Sequence, residues 1–236
     1  MRYLIAFLLL AGPLVAQDNP ARFSLPAGCT AYLTTQNASC EVEHLFTCDA
    51  DPAGHQQRVT LDEQGMVFLG VIDAEAQWID SFHAIDGFNE WLLPDPANPA
   101  SISELLANGV DHYDFHTQTD KYGAFNFVGS DRLTGREVTI DGVTLLETAF
   151  EITAMASNGT VIWTNAGNEY VSPEWRRFFG GIGAITSEYG EDPYDHRPVE
   201  FIFPGEPGFL STRPKHGCGV AISSAPLSEE TTYDYL

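Results

Sequence analysis

Between His55 and Asn165 the chain reads as short runs in which apolar and polar residues alternate, broken by turn signals. "HQQRVTLD" and "MVFLGVID" meet at "EQG", and "EAQWIDSFH" follows after another short turn. "DHYDFHTQT" and "AFNFVGSD" are joined through "DKYG", "REVTI" turns at "DG" into "VTLLETAFEITAMA", and that run turns at "NG" into "TVIWTN". Period-two alternation marks half-buried strands, and Asp141-Gly142 and Asn158-Gly159 predict type I′ hairpins, whose two central residues need positive φ. Connections this short pair sequential strands in an antiparallel meander.

Two stretches carry helix signals instead. "SISELLANG" sets Ser101 and Glu104 at capping-box spacing and puts Gly109 where a helix would stop. "SPEWRRFFGG" begins with a capping Ser172 and Pro173 and ends in a glycine pair, which predicts a second short helix with Trp175, Phe178 and Phe179 packed on the sheet. From about residue 190 the chain is rich in Pro and Gly, which predicts an extended wrap. The fold expected is mainly β: an antiparallel meander forming a curved sheet or half-open barrel with one or two short covering helices, the competing architecture being a β-sandwich.

The N-terminal run "MRYLIAFLLLAGPLVAQ" has the three-part plan of a secretory signal, with cleavage expected near Ala16. Residues 17–236 then form a single β-rich domain, since no linker-like composition divides them, and no later segment has the apolar length of a transmembrane helix. The formal charge of -22 becomes -23 when Arg2 leaves with the signal, a field that repels phosphate backbones and argues against nucleic acid as a partner. Two lysines against nine arginines fit a GC-rich bacterial genome, so the expected address is the periplasm or surroundings of a Gram-negative bacterium.

Four cysteines, Cys29, Cys40, Cys48 and Cys218, suit an oxidising compartment and two disulfides. If "CEVEHLFTC" is one strand, Cys40 and Cys48 stand roughly 26 Å apart and cannot bond. Of the two remaining pairings, Cys29–Cys40 with Cys48–Cys218 is the one favoured on sequence. No pair has zinc-knuckle spacing.

Candidate chemistry is sparse. His112, Asp114 and His116 share one face of a strand, so they are either its solvated side or ligands for zinc or copper. "DADPAG" from Asp49 opens like a calcium loop but has Ala53 and Thr60 where ligands belong, and "EDPYDH" from Glu191 reads as a turn. None of the hydrolase, zincin, P-loop or dinucleotide fingerprints occurs. Aromatic residues are the remaining asset: Trp78, Phe82, Tyr113, Phe115, Phe127 and Trp163 in strands, with Trp175 and Phe179 on the covering helix, would line an apolar pocket if the sheet curls around one.

In strand order from Val42 to Gly181 the chain resembles the LolA-type lipoprotein carriers, open barrels whose concave face holds acyl chains. That resemblance implies a non-enzymatic, exported protein that binds a lipid-like hydrophobic small molecule or an envelope protein. Two other functions are carried forward: a metal-binding protein or metal-dependent enzyme built on the His/Asp face, and a structural or interaction module whose acidic surface docks on a basic partner.

Overall fold

The computed structural model describes residues 21–219, so the expected signal lies outside the described residues. The strands are β1 (Cys29–Asn37), β2 (Glu41–Cys48), β3 (Gln56–Leu61), β4 (Met66–Ile72), β5 (Trp78–His83), β6 (Phe88–Leu92) and β7 (Val110–Thr119). They continue as β8 (Gly123–Ile140), β9 (Val143–Ala156), β10 (Val161–Ser172), β11 (Arg177–Phe179), β12 (Ile182–Ser187), β13 (Gly190–Asp195) and β14 (Pro198–Ile202). All belong to one 14-stranded antiparallel sheet in the order β13-β12-β10-β9-β8-β7-β6-β5-β4-β3-β2-β1-β14, with β11 paired to the end of β10. A single continuous sheet replaces the sandwich alternative.

The sheet is not closed, yet its two edge strands, β13 and β14, are consecutive in sequence. The dipeptide between them bonds to both sides of the gap: His196 N–H donates to the Gly181 carbonyl at 2.8 Å, and Ala38 N–H donates to the Arg197 carbonyl at 2.9 Å. From the β8–β9 turn, Asp141 Oδ2 accepts the Phe201 N–H of β14 at 2.8 Å. Asp141 and Gly142 have φ of 47° and 79°, as the predicted type I′ turn requires. At Asn158-Gly159 only the glycine is left-handed, and Ala156 N–H donates to the Thr160 carbonyl, so this hairpin has a three-residue loop instead.

One helix forms, α1 (Ile102–Asn108), with Ser101 capping the Glu104 N–H and Gly109 left-handed at its end. Its buried Ile102 and Leu105 pack with Ala76, Val171 and Leu146 and stop one end of the concavity. The second predicted helix does not form. Ser172 Oγ does accept the Trp175 N–H at 3.1 Å, but Arg176 turns to a φ of 50° and the chain doubles back as β11. There Arg177 and Phe179 face one side and Phe178 the other, each with apolar neighbours, so period-two burial outweighs the capping signal.

Strands β1 and β2 are covered on both faces. Val42, His44 and Phe46 lie beneath Phe23 and Phe209, from the segments flanking the sheet, while Leu33 and Leu45 pack against Leu145, Tyr170, Phe179 and Phe201. The expected C-terminal wrap is thus partly sheet (β13 and β14) and partly a turn-rich cover over residues 203–219. Glu191–Asp195 of "EDPYDH" is accordingly edge strand and not a turn.

The disulfides are Cys29–Cys48 and Cys40–Cys218, which corrects the favoured pairing. Cys29 stands opposite Cys48 in the β1–β2 register, whereas Cys40 sits in the turn between those strands, where the C-terminal cover passes. Cys218 does bind the cover to the first hairpin, through Cys40. Because this bond closes a loop with a separation of 178 residues, it restricts the unfolded chain far more than its partner, whose separation is 19. Replacing Cys40 and Cys218 together by alanine is therefore expected to lower stability by about 3–5 kcal/mol and replacing Cys29 and Cys48 by about 2–3 kcal/mol, measured by denaturant unfolding. Non-reducing peptide mapping checks the pairing itself.

Candidate functional site

The curled sheet encloses a cavity of about 660 Å³. Strand register arranges part of its wall in rows. Phe115, Phe127, Ala154 and Trp163 are paired across β7, β8, β9 and β10; two residues along, the row is Tyr113, Gly129, Ile152 and Asn165; two further, it is Asp111, Asp131, Phe150 and Gly167. Glu169 follows next on β10, opposite Thr148. One end of this wall is thus aromatic and the other acidic, separated by about 13 Å of strand.

At the aromatic end the ring of Phe127 lies 5.4 Å from Phe115 and 5.9 Å from Trp163, and Trp78 meets both phenylalanines edge-on at 5.4–5.6 Å. These are favourable offset and T-shaped contacts. Two glycines make room for further rings. A Cβ at Gly129 would come within 2.6–2.7 Å of the Tyr113 ring edge and hydroxyl, and a Cβ at Gly70 within 2.6 Å of the Phe68 ring, so both aromatics lie flat over the sheet where a side chain would otherwise stand.

The acidic end is unusual for an interior. Asp111 and Asp131 face each other across β7 and β8, like charges in directly opposed positions. Asp111 accepts the Ser101 N–H at 2.8 Å and is 3% exposed, with its other oxygen unpaired. Asp131 is 8% exposed, and among the described residues nothing hydrogen-bonds to its carboxylate. Burial, with Asp111 adding to it, pushes the Asp131 carboxyl up to about 7. Glu169 faces the cavity with the remainder of its surface; burial and the neighbouring Asp131 push it up to about 8, against the opposing influence of Arg58. Burial also raises Asp80 and Asp111, and it raises the Tyr113 hydroxyl, which stays neutral beside these acids.

The opposite wall supplies partnered charges. Glu43 is 3.5 Å from Arg58 and accepts from Thr35 and Thr60, and Arg58 lies over the Phe68 ring at 4.8 Å. Glu90 accepts from Thr117 at 2.5 Å and lies 3.3 Å from His83.

Five of the eight aromatics named from sequence line this cavity: Trp78, Tyr113, Phe115, Trp163 and Phe179. Phe127 lies within the wall, 4% exposed, behind Phe115 and Trp163. Phe82 does not line the cavity, although its strand neighbours Ser81 and His83 do. Trp175, expected over the ligand, belongs instead to a separate cleft of about 470 Å³ with Tyr32, Asp51 and His55. Asp131 and Glu169 were not singled out from sequence, although Asp131 is in phase with Phe127 on β8.

His112 and His116 are exposed on the outer side of β7, opposite in phase to Tyr113 and Phe115, and Asp114 accepts from Asn126 Nδ2 at 2.7 Å. They are not drawn together as ligands: among the described residues only Cys40, Glu63 and Cys218 bring metal-binding atoms within 4.8 Å of one another, and both of those cysteines are in a disulfide.

No known protein family matches the chain, and neither a curated protein nor a solved structure is similar to it.

Two predictions follow from this geometry. An acid whose folded pKa exceeds its unfolded value binds its proton more tightly in the native state, so its contribution favours folding at low pH and is lost as pH rises through about 4 to 7. Asp131→Asn removes that penalty and is expected to raise the melting temperature by about 5 °C or more at pH 8.5, with a much smaller change at pH 4.5, read by thermal denaturation across pH. On the outer face, stoichiometric zinc or copper is expected to leave the melting temperature unchanged, and His112→Ala with His116→Ala to be nearly neutral. A metal-dependent rise abolished by that double substitution would instead make β7 a metal site.

Proposed function

We propose that this is an exported, non-enzymatic protein that holds a largely apolar small molecule inside its curled sheet. The observation that carries this reading is the cavity itself: aromatic side chains of Trp78, Phe115, Phe150 and Trp163 face open space within the fold, where a protein without a ligand to accommodate would fill the volume with its own side chains. Most of its wall comes from strands, which gives the site a preformed shape.

Export is supported by the two disulfides, which persist in oxidising compartments, and by the absence among the described residues of any helix long and apolar enough to cross a membrane. The strong negative charge and arginine-rich basic set accord with the periplasm or surroundings of a GC-rich Gram-negative bacterium.

The test uses an uncharged fluorescent probe, N-phenyl-1-naphthylamine, titrated into the folded protein and competed with dodecanol. Saturable, competable binding is expected. Trp163→Ala, in the cavity wall, is expected to weaken it about tenfold, and Trp175→Ala, in the separate cleft, to leave it unchanged. Absence of saturable binding, or equal sensitivity to both substitutions, would remove the cavity from consideration as the site.

A further inference from the structure

We propose that the acidic end of the cavity is a receptor for a cationic group, so that the ligand is an amphiphile with its hydrocarbon on the Phe115–Trp163 wall and an ammonium group between Asp131 and Glu169. This rests on reading the cavity as a ligand site and adds the chemical class of what occupies it.

Charge is the first support. Glu41, Glu43, Asp80, Glu90, Asp131 and Glu169 all line the cavity, against only Arg58 and Arg177 as permanent cations. Arg177 is already directed at the Tyr32 hydroxyl and Gln56, at 2.9 and 3.3 Å, and Arg58 serves Glu43. An anionic headgroup would meet a surplus of carboxylates in a space where water screens poorly, whereas a cation would meet complementary charge.

Satisfaction is the second. Glu43, Glu90 and Asp111 each have a hydrogen-bond donor within the protein. Asp131, more than nine-tenths buried and lining the cavity, has none among the described residues, and neither does Glu169. A buried carboxylate without a donor is costly, and proteins keep such a group chiefly where something external completes it. A metal ion is not favoured as that partner, because these carboxylates are not among the groups whose ligand atoms converge.

Spacing is the third. The Phe127–Trp163 row and the Asp131 row are four residues apart along the strands, about 13 Å, a separation that suits a medium-length alkyl chain ending in a charged head.

The cation requires both acids ionised, so its entry must expel the protons they hold near neutrality. The groups that face this pair are Asp111 and Tyr113 from β7, Arg58 from β3 and Tyr194 from β13; none of these is a second acid of comparable accessibility to the cavity. Affinity for a permanent cation should therefore rise with pH through the range about 7 to 8.

Titration of the intact protein with decyltrimethylammonium, decanol and decanoate, each below its micelle concentration, tests this. The quaternary ammonium is expected to bind at least tenfold more tightly than decanol at pH 8.5 and to lose at least tenfold in affinity by pH 6, while decanol binding stays level. Asp131→Asn and Glu169→Gln should each reduce the cation to the affinity of decanol and flatten its pH profile, with circular dichroism showing an unchanged fold. Equal binding of cation and alcohol, or tighter binding of decanoate, would overturn the cationic receptor and leave the apolar cavity standing; binding of none of the three would overturn both. Calcium ions that raise the melting temperature of the wild type but not of Asp131→Asn would also overturn it, in favour of an ion site.

Discussion

Two residues determine how far this sheet has to roll. His196 and Arg197 are all that separates β13 from β14, and three peptide steps reach at most roughly 11 Å. Laid flat, the thirteen hydrogen-bonded positions of the main sheet path would hold those two strands roughly 58 Å apart. The link can exist only if the sheet curls until its edges nearly meet. Curling creates an inside, and the inside decides which alternate residues of each strand are shielded from water. The long strands bend as they must: register shifts between Leu133 and Glu137, where Gly135 adopts a φ of 80°, mark the irregularity in β8 that lets the lower hairpin fold against β14.

The interior is then only partly filled. At one end α1 supplies Ile102 and Leu105 as a stopper, and at the seam Phe179, Phe201 and Leu145 pack densely. Between them the side chains leave open volume and place unpaired acids on it. Burial chiefly, and the neighbouring acid, raise the proton affinities of Asp131 and Glu169. Such buried, raised acids weaken the fold as they ionise.

Strand identity was legible wherever one face of a strand is wet. β7 and β9 show the period-two pattern because polar residues occupy the exposed side, β3 and β4 were legible from the short turn that joins them, and α1 was legible from Ser101, Glu104 and Gly109. β1 was not legible, for a physical reason: Thr34, Thr35, Gln36 and Asn37 are all buried, so no alternation survives in "CTAYLTTQN". With β1 unread, its register with β2, which sets Cys29 opposite Cys48, was invisible. The local cap at Ser172 is real, but the fate of "SPEWRRFFGG" depends on β10, β14 and α1 lying on its two sides, which no window of ten residues contains. The acids escaped notice because each stands alone in sequence; only the pairing of β7 with β8, β8 with β9 and β9 with β10 brings Asp111, Asp131 and Glu169 to one end.

An unclosed sheet carries a hazard that a closed barrel avoids, since each rim offers unpaired backbone groups to a neighbouring molecule. Here the two rims are defended differently. On β14 the Phe201 N–H is occupied by Asp141 of the same chain. On β13 the exposed run "GEDPYD" interposes Pro193, which has no N–H to offer, and brings Glu191, Asp192 and Asp195 to repel an incoming strand of like charge. Both borders of this long sheet thus carry features that oppose the addition of a further strand.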